Sequence, residues 1–318
     1  MIYAVWAPLL VPFFAVPVAG RVAEAFRPRT AAWLLTAYAA VLALSTATAL
    51  SLLFASGALS LRPVAALGHL RIPLVGDGLA SSPAVAGLAL LLLGTGATTA
   101  ARRLRRQARE LAEARRYTNT HTGGDLSVMA DSRPDAFALP GRPGRIVVTA
   151  GMLRALEPAE REVLFAHERA HLAGRHHLFL RVTDIAAAWH PMLRLLRAPL
   201  VFALERWADE SAARAVGDRA LTARAIGRAA LATRQAGPSD AGHRRPDIAI
   251  AATAGPVPRR VAALLGRDQP AVPRSQAGRH LVTGAIALCL AFSVGSTADA
   301  ATDLHGSIEV AQGEYRQA

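Results

Sequence analysis

Four long apolar stretches constrain the fold of this chain more than any other feature of its sequence. Each is close to the roughly 20 residues that a helix needs to cross the hydrocarbon core of a bilayer. They cover residues 2–20, 31–54, 83–101 and 281–298. The first stretch contains Pro8, Pro12 and Pro17, and internal prolines are expected to kink a helix. The pattern predicts a mainly α-helical membrane protein with about four transmembrane helices, three before a long polar region and one after it.

The polar region between the third and fourth stretches is the only segment long enough to fold as a soluble domain. Runs of apolar and β-branched residues predict strands at 126–130 and 145–149 within it, so we expect an α+β domain. The chain then divides into a three-helix transmembrane region at 1–101, the polar domain at 102–279, a fourth transmembrane helix at 280–298 and a short tail at 299–318.

Arginine placement predicts the orientation of these parts. All 36 basic residues are arginines, and the net charge is +13. Arginines are concentrated in the loop after the first stretch and in residues 102–116, and such clusters mark the cytoplasmic side of a membrane. We therefore expect a multi-pass protein of the cell membrane with its polar domain in the cytoplasm and its acidic tail outside. No nucleic-acid-binding motif accompanies the charge, so contact with the lipid bilayer is expected and direct binding of nucleic acid is not.

One motif in the polar domain carries recognisable chemistry: His167-Glu168-Arg169-Ala170-His171. Positions four apart lie on the same face of a helix, so both imidazoles can reach one Zn²⁺ ion. Glu168 lies beside the first ligand, where a carboxylate can act as the catalytic base toward an attacking water. The alternative interpretation is a surface helix with two incidental histidines.

A catalytic zinc site needs a third protein ligand. Glu205 is the first candidate, and Asp209, one turn further along the same face, could hydrogen-bond a ligating histidine. The alternative is a solvated helix face on which Glu205 and Asp209 form salt bridges with Arg206 and Arg214.

His177 is the rival third ligand, because His167 to His177 also reads His-Glu-x-x-His-x-x-Gly-x-x-His, the metzincin pattern. His177 is six residues past His171, which on a straight helix places it on the opposite face. Only a break at Gly174 would bring it to the metal, and the flanking sequence contains no proline or turn cluster to force one. Glu205 is therefore the preferred ligand.

The motif, the later Glu-x-x-x-Asp helix, the run from Gly144 to Thr149 and the three-plus-one arrangement of spans resemble the membrane zinc peptidases related to the β-lactam sensor BlaR and its relative MecR. The resemblance covers residues 83–298. It implies a gluzincin-like zinc metalloendopeptidase, a role in signal transduction, and a winged-helix repressor of the BlaI/MecI type as the protein substrate. Those sensors carry a penicillin-binding domain after the last span, whereas only residues 299–318 follow here, so β-lactam sensing is not expected.

Two alternatives remain open. An HtpX-like quality-control protease would share the zinc chemistry but has two spans on each side of its catalytic domain. A non-catalytic membrane signalling protein would not need Glu168. In either enzyme the substrate backbone must lie extended across the zinc, and we expect it to add as a strand at a sheet edge near 145–149.

Overall fold

The computed structural model describes residues 4–67, 79–119, 124–236, 256–266 and 276–316. The described chain is mostly helical and contains one small sheet, as the sequence predicts. The helices are α1 Ala7–Ala25, α2 Pro28–Leu59, α3 Arg62–Leu67, α4 Pro83–Asn119, α5 Ala150–Ala155, α6 Pro158–Ala173, α7 His176–Trp189, α8 Arg197–Val216, α9 Arg219–Gln235, α10 Val257–Leu264 and α11 Gln276–Arg316. The strands are β1 Leu126–Met129, β2 Ala136–Leu139 and β3 Arg145–Thr149.

Three helical segments are long and apolar enough to cross a membrane: Pro28–Leu59, Pro83–Arg116 and Ala277–Val310. They correspond to the second, third and fourth predicted spans. The first predicted span forms two helical pieces, Ala4–Phe14 and Pro17–Ala25, bent by 56°, which agrees with the kink expected from its prolines. If the bent pair crosses the membrane as a single span, the number of spans is four. The count of four stays a prediction. The predicted domain boundaries at 101 and 298 fall inside α4 and α11.

The apolar part of the polar domain packs directly on the helices that are candidate membrane spans. Leu35 and Leu42 of α2 belong to the same buried cluster as Leu193, Leu196 and Leu200, which lie between α7 and the first turns of α8. One face of this apolar segment, residues 178–204, is therefore buried against the candidate spans, whereas Leu178 and Leu195 on its other face are exposed. This packing fixes helix α8 to the candidate spans.

The sheet has the order β1-β3-β2, with β1 parallel and β2 antiparallel to β3. Both predicted strands are present. The sequence did not reveal β2, because Ala136-Phe137-Ala138-Leu139 contains no β-branched residue. β3 is the central strand, so the expected substrate edge near 145–149 is wrong: both sides of β3 are occupied, and the edge strands are β1 and β2.

Helix α6 begins where its sequence predicts. Glu160 accepts a hydrogen bond from the backbone N–H of Glu157 (3.0 Å), which closes a capping box around Pro158 at the first helical position. The helix ends at Ala173, and Arg175 adopts a left-handed conformation (φ 50°) before α7 starts. No proline or turn cluster in the sequence predicts this break.

The break places a side chain directly against Gly174. A Cβ atom at this position would lie 2.6 Å from Cδ2 of His176, so only glycine leaves room for the imidazole that folds back beneath it. The break therefore turns His176 toward α6, whereas His177 is half-buried outside the group that could hold a metal.

Candidate metal centre

Three side chains from two helices converge in the interior: His167 and His171 of α6 and Glu205 of α8. The two histidine Nε2 atoms are 3.0 Å apart. Glu205 Oε1 lies 3.3 Å from Nε2 of His171, and Oε2 lies 3.6 Å from Nε2 of His167. All three residues are at most 3% exposed, so their donor atoms face one another rather than solvent.

The helix period explains this convergence. The buried residues of α6 recur every three or four positions and form one stripe, which ends in His167, Glu168 and His171. On α8, Glu205 and Asp209 are four apart and lie on the buried face that contacts α6. The solvated-face interpretation of this pair is therefore wrong, because Glu205 and Asp209 are 0% and 1% exposed.

Asp209 lies behind the first histidine. Its Oδ1 is 3.0 Å from Nδ1 of His167, which leaves Nε2 directed toward the centre. Burial lowers the pKa of His167, but the carboxylates of Asp209 and Glu205 outweigh burial and raise the pKa to about 10. The same field of negative charge favours a cation at the centre.

His176 supports the second histidine in the same way, and the sequence did not single it out. Its Nδ1 is 2.7 Å from Nδ1 of His171. Burial, together with the neighbouring His171, lowers the pKa of His176 to about 2, so its ring is neutral at physiological pH. A neutral His176 can accept a hydrogen bond from Nδ1–H of His171 and thereby leave Nε2 of His171 free to donate a lone pair. His177, the neighbour weighed as a ligand, is not part of this arrangement.

Arg260 of α10 is the second residue that the sequence did not reveal. It is 0% exposed, and its guanidinium contacts Glu205 Oε2 at 2.7 Å and Asp209 Oδ1 at 2.6 Å. Burial would raise the pKa of both carboxyls, but Arg260 and the neighbouring histidines together outweigh burial and lower it, so both are ionised. In a chain whose 36 basic residues are all arginines, no local pattern distinguishes this one.

Glu168 completes the buried charges. It is 0% exposed, follows His167 on the same stripe of α6, and interacts with the charge of Arg260. Three buried carboxylates, those of Glu168, Glu205 and Asp209, therefore surround one buried guanidinium. The carboxylates outnumber the guanidinium, which favours a bound cation at the centre.

The donor set fits such an ion. Two imidazole nitrogens and one carboxylate oxygen are typical ligands of catalytic zinc, and bonds of about 2.0–2.1 Å in a tetrahedron separate ligand atoms by roughly 3.4 Å. The observed separations of 3.0, 3.3 and 3.6 Å bracket this value. His167, His171 and Glu205 are thus positioned to bind a metal.

Comparison with known families agrees with this chemistry. The model of peptidase family M48 matches residues 98–198. The match contains α6 with His167, Glu168 and His171 and ends at the start of α8, before Glu205. It indicates a metallopeptidase, and the apolar helices fit a membrane-associated one. It does not distinguish the BlaR/MecR type. No curated protein and no solved structure matches the chain significantly.

Proposed function

We propose that this chain is a membrane-embedded zinc endopeptidase that cleaves a protein substrate on the cytoplasmic side of the cell membrane. The observation that carries the proposal is the convergence of His167, His171 and Glu205 beside the buried Glu168. Two of these ligands and Glu168 lie within the segment that is similar to M48 peptidases. A non-catalytic signalling protein has no use for a buried carboxylate at that position.

Each side chain of the centre has a distinct task in this mechanism. His167, His171 and Glu205 hold the metal, while Asp209 and His176 orient the two imidazoles. When bound, Zn²⁺ lowers the pKa of a water molecule and polarises the scissile carbonyl. Glu168 takes the proton of the attacking water and then delivers it to the leaving amine, so that it ends each cycle ionised.

Substitution of Glu168 by Gln tests the proposal. Glu168→Gln should keep metal content near one ion per chain and lose peptidase activity by about 10²–10⁴-fold, because the base is removed and the ligands are not. Metal analysis measures the first effect, and cleavage of whichever substrate the wild-type protein cuts, a winged-helix repressor or an unfolded protein, measures the second on the same sample. Wild-type activity in this variant would refute the mechanism, and loss of metal would make Glu168 a structural residue.

Strand β2 is the sheet edge that we propose for the substrate backbone, because α6 contacts β2 and β3 and β3 has no free edge. The Thr149 N–H donates to Asp135 O, and alternate residues of an antiparallel strand face its partner, so the backbone of Ala138 points away from β3. Ala138→Pro should therefore lower kcat/KM and leave metal content unchanged. Parallel loss of metal would indicate misfolding, and unchanged kcat/KM would reject this edge.

The arginine-rich end of α4 and the first residues of α2 and α11 support the cytoplasmic orientation. Labelling with a membrane-impermeant thiol reagent tests it in a Cys289→Ser background, since Cys289 is the only cysteine. In intact cells a cysteine at exposed Gln312, beyond the last span, should react, whereas one at exposed Ala215 on α8 should not. The reverse pattern would invert the topology.

Cleavage of a winged-helix repressor of the BlaI/MecI type is the narrower proposal, and it is based on the sequence resemblance alone. Purified protein should cut such a repressor at one site and leave an unfolded membrane protein intact. Many cuts in the unfolded protein and none in the repressor would favour the quality-control alternative.

A further inference from the structure

A second charged region lies on the other side of α8. A cavity of about 1030 Å³ is bounded by the turn between α1 and α2, one face of α8 and the first turns of α11. We call it the basic cavity, because five arginines line it: Arg27, Arg29, Arg206, Arg214 and Arg279.

The acidic residues of the lining do not neutralise these arginines. Glu24 contacts Arg259 at 2.5 Å, and Glu210 accepts hydrogen bonds of 2.7 and 2.9 Å from Arg219. Neither Arg259 nor Arg219 lines the cavity, so both carboxylates are already paired with arginines outside it. The pKa of Glu210 is lowered mainly by its bond to Arg219 and further by the charges of Arg206 and Arg214, so one carboxylate is shared among three arginines. The cavity therefore retains an excess of positive charge.

Two of its arginines lie at helix starts. Arg27 is the N-cap residue of α2 and Arg279 is in the first turn of α11. Within the part of the chain that the structure describes, neither forms an ion pair with a carboxylate. Arg29 and Thr30, in the first turn of α2, also line the cavity, and the N–H groups of a first helical turn have no partner within their helix. Several arginines and a helix start on one cavity together favour an anion with several acceptor oxygens, as in a phosphate group.

The position of the cavity indicates where that phosphate comes from. The candidate spans Pro28–Leu59 and Ala277–Val310 both begin at its rim. It therefore lies at one boundary of the membrane, the level at which phospholipids carry their phosphates. Basic pockets between transmembrane helices at this level bind anionic lipid headgroups.

We propose that the basic cavity binds the phosphate of an anionic phospholipid headgroup. The proposal depends on the membrane insertion in the proposed function and not on peptidase activity. Trp207 connects the cavity with the metal centre: it lines the cavity, Arg29 lies 5.5 Å from its ring centroid, and the His176 ring lies 4.6 Å away on the metal side. A bound headgroup thus holds α8 from the side opposite the metal.

Lipid titration of the full chain in a neutral detergent tests this site. Short-chain phosphatidylglycerol should raise the midpoint of thermal unfolding saturably, and phosphatidylcholine of equal chain length should do so at least tenfold more weakly. Inorganic phosphate at the same concentrations should have no effect. If inorganic phosphate displaced the lipid with equal affinity, the ligand would be a soluble phosphate and the lipid assignment would be wrong.

Paired variants locate the site. The double variant Arg27→Gln/Arg279→Gln should bind phosphatidylglycerol at least tenfold more weakly, whereas Arg105→Gln/Arg109→Gln, which removes two exposed arginines of α4 outside the cavity, should bind it as wild type does. Equal losses in both double variants, or unchanged binding in the first, would overturn the proposal. Metal content reports whether the variants are folded, and Arg279→Gln alone gives a second, milder test.

Glu168→Gln separates this proposal from the proposed function. It should bind phosphatidylglycerol with wild-type affinity although it lacks activity. A wild-type protein that bound lipid but cleaved nothing would refute the peptidase alone, and one that cleaved without saturable lipid binding would refute the cavity alone.

Discussion

Helix α8 carries charged residues on two faces, one buried at the metal centre and one facing the basic cavity. The two faces differ in how their charges are paired. On the metal side, Glu205 and Asp209 are almost fully buried and both contact the buried Arg260. On the cavity side, one residue further along, Arg206 and Glu210 face a basic cavity whose acids are paired elsewhere. Burial accounts for the difference, since a buried charge without a partner costs several kcal/mol and a solvated one costs little.

The comparison predicts how strongly each side responds when one charge is removed. On the metal side Glu205, Asp209 and Arg260 each contact two or more charged or ligating groups, so a single substitution among them should affect metal content, stability and activity together. On the cavity side a substitution should change ligand binding and leave stability nearly constant.

The largest effect is expected from the third ligand. Glu205→Ala should lower metal content from near one ion per chain to near zero and abolish peptidase activity. It removes a metal ligand and one of the two carboxylates that contact Arg260. His177→Ala is the matched control and should keep both metal and activity. Metal analysis of the two folded variants decides between the candidates, and the opposite result would assign the third ligand to His177.

Two neighbouring arginines of α10, one buried and one half exposed, allow a buried and a solvated charge to be compared on one helix. Arg260→Met leaves two buried carboxylates without their guanidinium and should cost about 3–5 kcal/mol of unfolding free energy. Arg259 is about half exposed and pairs with Glu24, so Arg259→Met should cost at most about 1 kcal/mol. The midpoints of thermal unfolding in detergent measure both changes. Equal shifts would show that burial does not separate the two regions.

A smaller effect is expected where a neutral group supports a ligand. His176→Ala should weaken metal affinity by about 10–100-fold while stoichiometry at saturating zinc stays near one. His176→Asn should recover part of that affinity, because its amide oxygen can accept a hydrogen bond from Nδ1–H of His171. If both variants bound metal as tightly as wild type, His176 would only fill space under Gly174.

The smallest effect belongs to the cavity side. Arg27→Gln removes an exposed arginine and should change the free energy of unfolding by no more than about 0.5 kcal/mol when no anionic lipid is present. Thermal unfolding in neutral detergent measures it. A loss comparable to that of Arg260→Met would mean that the cavity arginines are structural and would erase the contrast between the two faces.

The sequence by itself determined the features that depend on neighbouring residues. Apolar length marked α2, α4 and α11 as candidate spans, and Glu157-Pro158 marked the start of α6. The four-residue spacings of His167 and His171, and of Glu205 and Asp209, placed each pair on one helix face. These signals are local, because helix period, caps and span length are set by residues a few positions apart.

Only the tertiary structure decided the partners across the centre. Asp209 and Arg260 are 51 positions apart and are joined by a buried bond, while the left-handed Arg175 turns His176, rather than His177, toward His171. Strand β2 likewise exists because β3 pairs with it, not because its own residues favour a strand. In each case the stabilising free energy comes from contacts that form only when the helices pack. No short segment of the sequence therefore predicts these partners.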